Sequence, residues 1–149
     1  MMEKLFVFPK ESSNSYVRIY PELQGPFVEA TVCISICVTW SSTARAVWID
    51  GKKYNNDGIL NVTIDAKPCI IIGQEQNAYD EGFKVSQSFV GEMTDVNMWD
   101  KALTDDNVID YFAGNEVSGN VINWKALNYS SYGDVTIRPY VDPYPCEPV

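Results

Sequence analysis

The chain predicts an all-β fold: a two-layer antiparallel β-sandwich with one short α-helix. Three observations say so. Turn-forming residues recur about every eight to twelve positions. The runs between them are short and rich in Val, Ile, Thr and aromatic residues, which fit a pleated, half-buried surface. Apolar residues at helical spacing occur in one segment only, near residue 108. A length of 149 residues suits a single domain, 1–149, built round one core.

In chain order, the strongest strand signal is Val32 to Trp40. Val32, Ile34, Ile36, Val38 and Trp40 alternate with Thr31, Cys33, Ser35, Cys37 and Thr39, so the first set is expected on the core face. Ala46 to Ile49 and Lys53 to Tyr54 flank Asp50-Gly51, a hairpin turn pair. Ile59 to Ile64 and Cys69 to Ile72 read as strands, the latter preceded by Pro68, and Phe89 to Trp99 reads as one more. A helix follows. Thr104 is its N-cap, Asp105 and Asp106 suit the first-turn dipole, Val108, Tyr111 and Phe112 share a face, and Gly114 ends it. From Pro139 to Val149 the chain is proline-rich and reads as an extended tail. No internal repeat or low-complexity segment interrupts this order.

The formal charge of −9 argues against nucleic acid and anionic membrane surfaces as partners, and leaves cations or basic proteins as natural ones. No apolar run is long enough to insert in a membrane. The chain has no histidine, which removes His-based triads, the common zinc sites and a histidine pH switch. The opening MMEKLFVFPK is too short and too broken to be a signal peptide.

Chemistry concentrates between Gly73 and Gln87. Glu75, Gln76, Asn77, Asp80, Glu81 and Gln87 place many side-chain oxygens in a short loop, the donor type that calcium selects. Lys84 puts a cation into the same loop.

Six short stretches carry a resemblance. They are Phe6 to Ser12 (FVFPKES), Cys37 to Ser42 (CVTWSS), Trp48 to Lys52 (WIDGK), GQEQ at Gly73 to Gln76 with SQS at Ser86 to Ser88, Asp95 to Asp100 (DVNMWD), and Asn120 to Leu127 (NVINWKAL). In this order they resemble the pentraxins, a family of secreted innate-immune pattern-recognition proteins, as far as about Arg138. The resemblance implies a jelly roll shared with legume lectins, secretion after removal of an export signal, and a cyclic homo-oligomer. Five protomers is the family expectation, and a changed protomer shape makes a smaller ring such as a trimer a candidate. Family members are roughly two hundred residues long, so a block of about sixty is expected to be missing. The run TVCISICVTW looks like two cysteine-bearing strands fused at the seam. The excision should create new sheet edges, which proteins cover, often by association.

The resemblance implies that Glu75, Gln76, Asn77 and Gln87 stand at calcium-ligand positions, with Asp80 and Glu81 as possible substitutes. In the family two calcium ions sit side by side and a ligand phosphate bridges them. Asn77 stands where the family has an aspartate, and Lys84 where it has a glutamate; a further Asp-Asn pair comes from the missing block. One weakly held calcium at most is therefore expected, or none, with phosphocholine binding lost or altered. Microbial surfaces are the implied ligand class. On the opposite face, Asp50 and Tyr111 match positions used for the complement recognition protein. Their plain readings are a turn residue before Gly51 and a residue packing the helix down.

Pentraxins join the two strand cysteines in a disulfide. Here Cys33 and Cys37 are four positions apart on a β-patterned run, about 13 Å if extended, whereas a disulfide needs its Cα atoms within about 7 Å. The family bridge is therefore expected not to form. Cys69 and Cys146 complete a set of four that could stay free, pair Cys37 or Cys69 with Cys146, or link protomers. Asn61 and Asn128 head N-glycosylation triplets, Asn128 being the better placed. No Glu-x-Asp-x-x-Glu strand of a retaining glycosidase occurs, and Ser and Cys lack a histidine base. The sequence thus reads as a binding protein, not an enzyme. The alternative to a recognition ring is an oligomeric scaffold that kept the complement-binding face and lost calcium-dependent ligand binding.

Overall fold

The computed structural model describes residues 4–34, 36–42, 45–55, 63–64, 67–115 and 117–140. Among these residues eleven strands and one α-helix follow in order. They are β1 (Lys4–Phe8), β2 (Tyr16–Ile19), β3 (Ala30–Cys33), β4 (Ile36–Trp40), β5 (Arg45–Ile49), β6 (Lys52–Asn55), β7 (Ile70–Ile72), β8 (Gly91–Met93), β9 (Asn97–Trp99), α1 (Asp105–Phe112), β10 (Tyr129–Tyr132) and β11 (Thr136–Pro139). All pairings are antiparallel, and the sheet orders are β6-β5-β4-β3-β9, β11-β1-β8 and β10-β2-β7.

Alternation puts one side of each strand into a common core. Phe6 and Phe8 of β1, Val17 and Ile19 of β2, Ala30 of β3, Ile72 of β7 and Met98 of β9 meet there with Trp124. Trp124 is fully buried, lies edge-on to Phe6 at 5.1 Å, and donates its indole N–H to the Lys4 carbonyl at 3.0 Å. Its partner satisfies the one polar atom that burial would otherwise strand.

A second cluster lies on the other face of the five-stranded sheet, under α1. It joins Cys33, Cys37, Ala46, Trp48 and Trp99 to Leu103 and Val108. Thr104 caps α1 as expected, accepting from the Asn107 amide, and Asp105 and Asp106 occupy the first turn. Asp105 also pairs with Lys53 of β6 at 2.6 Å, holding the helix on the sheet.

Three expectations change. The run Val32 to Trp40 is not one strand: the chain reverses after Cys33, with Ile34 N–H on the Ile36 carbonyl at 3.0 Å, and β3 pairs back on β4. Cys33 and Cys37 thereby become direct cross-strand neighbours and form a disulfide, with Cα atoms 4.1 Å apart. The 13 Å separation expected of an extended run does not apply to a hairpin. Cys69 stays a free thiol, and Cys146 lies outside the described residues, as does the tail from residue 141. Second, the face expected to be core is only partly so. Cys33, Cys37, Thr31 and Thr39 are buried, whereas Ile36 and Val38 stand 47% and 41% exposed. Third, Phe89 to Trp99 divides into β8 and β9 in different sheets, broken at Asp95 with φ 56°.

The Asp50-Gly51 turn has φ of 49° and 74°, the left-handed pair a tight hairpin needs. Ile64 bridges Phe27; the rest of the Ile59 to Ile64 prediction falls largely outside the described residues, Asn61 included. Among the described residues no helix is long and apolar enough to cross a membrane.

Candidate cation loop and effector face

The loop expected to bind a cation begins where β7 ends. Gly73, at φ +95°, makes the first bend; a Cβ there would sit 2.3 Å from the Phe8 ring, so only glycine fits. The loop then folds on itself. Glu75 N–H bonds the Gln87 carbonyl at 3.2 Å, Phe89 N–H bonds Gly73 at 2.9 Å, and Ala78 and Glu81 form a small bridge at the tip. A 3₁₀ turn at Val85–Gln87 returns the chain toward β8.

The structure brings Glu75, Asn77 and Gln87 together. Gln87 Nε2 donates to Glu75 Oε2 at 2.8 Å, and Asn77 Nδ2 donates to Gln87 Oε1 at 3.0 Å and to the Gly82 carbonyl at 2.8 Å. Gln76 turns the other way. Its Nε2 donates to the Cys69 carbonyl at 3.1 Å and its Oε1 accepts from the Asp80 N–H at 3.0 Å. Asp80 is not spare: its carboxylate pairs with the Arg18 guanidinium and accepts from the Cys69 thiol at 3.6 Å. Glu81 and Lys84 point to solvent.

Calcium wants six to eight oxygens. Glu75 is the one carboxylate at the centre of this cluster. Asn77 and Gln87 can offer oxygen once their amides rotate. Among the described residues no three His, Cys, Asp or Glu side chains converge on a point that could hold a metal ion. The cluster so formed offers one carboxylate, Glu75, and two side-chain amides, Asn77 and Gln87.

Beside the loop lies a cavity of about 210 Å³ lined by Arg18, Tyr20, Lys67, Cys69, Tyr79 and Asp80, among others. Tyr20 forms one wall; its hydrogen bond with Ser130 lowers the phenol below its ordinary pKa. Sequence reading missed Arg18 altogether. It lies 62 positions from Asp80, and a lone arginine on an alternating strand carries no local signal.

Asp50 and Tyr111 come together at the end of α1. With Ile34, Thr94, Asp95 and Phe112 they line a cavity of about 260 Å³. The hairpin turn meets the end of α1 here, since Phe112 Cβ lies 3.8 Å from where a Cβ on Gly51 would be. Tyr111 also packs the helix, edge-on to Trp99 at 6.1 Å, and donates its hydroxyl to the Asp95 carbonyl at 2.6 Å. Asn128 is exposed.

Residues 34–139 match the Pentaxin family. The chain is a pentraxin. The match begins at Ile34, directly after Cys33. This pentraxin is 30% identical to serum amyloid P-component of Mus musculus, covering 95% of this chain and 89% of that protein. It is likewise 30% identical to C-reactive protein of Homo sapiens, covering 96% and 91%. The first of these alignments runs over 199 positions against 149 residues here, so at least 50 positions of the relative have no counterpart in this chain. In structure it superposes on the heptameric SAP-like pentraxin from Limulus polyphemus with a TM-score of 0.81, at 19% identity, over 93% of this chain and 95% of that one. The fold is thus a pentraxin sandwich, shortened inside.

Proposed function

We propose that this pentraxin is a secreted recognition protein, not an enzyme, acting as a cyclic homo-oligomer on repetitive microbial or phosphocholine-type surfaces. Multivalency multiplies weak single-site affinity when many identical sites meet a repeated ligand. The observation that carries the reading is similarity along nearly the whole chain to serum amyloid P-component and C-reactive protein. A further feature supports association. Ile36, Val38, Ile49 and Tyr54 share one face of the β4-β5-β6 sheet and stand 47%, 41%, 43% and 48% exposed. An exposed apolar face supports association with another surface. Five protomers is the family expectation, and a smaller ring such as a trimer suits a protomer of altered shape.

The loop of Glu75, Gln76, Asn77 and Gln87 takes at most one calcium ion, weakly, in this reading. Light scattering combined with retention on a phosphocholine surface, with calcium and with chelator, tests it. A ring retained on the surface is expected; a monomer with no retention in either condition sinks it.

One observation favours the alternative of an oligomeric scaffold with an effector face alone. Asp50 and Tyr111 line a single cavity, as a contact site for the complement recognition protein would require, while in the loop Gln87 Oε1 and Glu75 Oε2 accept from the Asn77 and Gln87 amide N–H groups. Binding of that partner by a ring with no surface retention would select this reading.

A further inference from the structure

We propose that the Arg18–Asp80 ion pair, not a bound cation, fixes the tip of the Gly73–Gln87 loop, so that Arg18 is its positioning residue. This concerns the loop assigned above to weak cation binding, but stands on contacts separate from that assignment.

The anchor is rigid. Arg18 lies in β2, the central strand of its sheet, in register with Ser130 on one side and Ile71 on the other. Its neighbour Tyr16 stacks on Tyr132 at 4.6 Å and meets Phe83 of the loop at 4.8 Å, so the same strand face grips the loop at a second point. The arginine and aspartate side chains are 27% and 26% exposed. That shielding reduces screening by water relative to a fully exposed pair.

The aspartate is held on several sides. Its backbone sits at φ 60° at the tip of the turn, its N–H donates to Gln76 Oε1, and its carboxylate takes both the guanidinium and the Cys69 thiol. Gln76 closes the circuit through the Cys69 carbonyl beside β7. Asn77 and Gln87 hold the remaining half of the loop through Gly82 and Glu75. Gln76, Asn77 and Gln87 thus each tie two groups together through the side-chain amide, and the tip is ordered by the protein's own contacts.

Hydrogen exchange at the Asp80 and Glu81 amides tests this, read on the intact protein with millimolar calcium and with chelator. The wild type is expected to show the same protection in both, within about twofold. Arg18→Gln and Asp80→Asn should each speed exchange at these two amides about tenfold, leaving the amides of β1 unchanged. The charge-swapped pair Arg18→Asp with Asp80→Arg should recover part of the protection. Asp80→Asn removes only the charge of a half-buried side chain outside the strands, so it reports even if Arg18→Gln unfolds the sheet. Protection that appears only with calcium overturns the proposal, as does Asp80→Asn exchanging at the wild-type rate. Failure of the ring or of surface retention would overturn the function proposed above while leaving this pattern in place.

Discussion

Cys33 and Cys37 face each other across the β3–β4 hairpin, in register and disulfide-bonded, with their Cα atoms 4.1 Å apart and both side chains fully buried under α1. Two strands that lie side by side in the sheet are joined here by a tight reversal. The disulfide closes so small a loop that the chain-entropy model assigns it only about 2 kcal/mol. Replacing both cysteines with alanine should lower the melting temperature by about 4–8 °C without changing the fold. Calorimetry, with a mass measurement under non-reducing conditions to establish the bond, checks this. A variant that no longer folds at all would show that the hairpin depends on the bridge for its existence.

Lys84 and Asn77 set the ceiling on calcium affinity in the proposed reading. Changing Lys84→Glu together with Asn77→Asp adds two carboxylates and removes one ammonium beside Glu75. Affinity for calcium should rise about ten- to a hundredfold, since the number of ligand charges tunes such sites. Titration calorimetry reads the change. No gain would mean that the block absent from this chain, and not these two positions, limits the site.

Val38 is 41% exposed in the middle of an apolar sheet face, in register with Val47 and Val32. Val38→Asp should dissociate the proposed oligomer to monomers while leaving the melting temperature within a few degrees, because the residue is only half-buried. Light scattering of both proteins at one concentration decides the matter. An unchanged mass would place the protomer contact elsewhere.

Tyr111 serves packing and, in the proposal, partner contact. Tyr111→Phe removes its hydrogen bond to the Asp95 carbonyl but keeps both aromatic contacts, and should cost about 1 kcal/mol of stability. Asp50→Asn keeps a residue that tolerates the left-handed turn, so stability should hold. Loss of complement recognition protein binding in Asp50→Asn, read by surface plasmon resonance, would support the effector role; undiminished binding by both variants would remove it.

Trp124→Ala should cost about 3–5 kcal/mol. The indole is fully buried against Phe6 and its N–H is bonded to Lys4, so truncation leaves a cavity and removes one of the two hydrogen bonds on the Lys4 carbonyl, that from Thr94 remaining. Denaturant unfolding checks the figure.

Local chemistry made part of this molecule legible. Thr104, Asp105 and Asp106 announce the helix because capping and dipole effects act within one turn. Asp50-Gly51 announces its hairpin because few residues tolerate that backbone conformation. The acid- and amide-rich stretch announces a loop, and Asn77 and Gln87 do meet Glu75 in it. By contrast, the reversal at Ile34 has no glycine, proline, asparagine or aspartate within it, and its β-branched alternation runs on unbroken.

The sequence by itself determined the class of fold, the helix, the family and the residues crowded into the cation loop, since propensity, turn chemistry and short motifs are local. Tertiary structure alone decided that Cys33 meets Cys37, that Val38 faces outward, and that Arg18 holds Asp80. Each of these is a meeting of strands or loops through space, and the energy that settles it comes from sheet pairing, burial and charge contact between segments that no local pattern links.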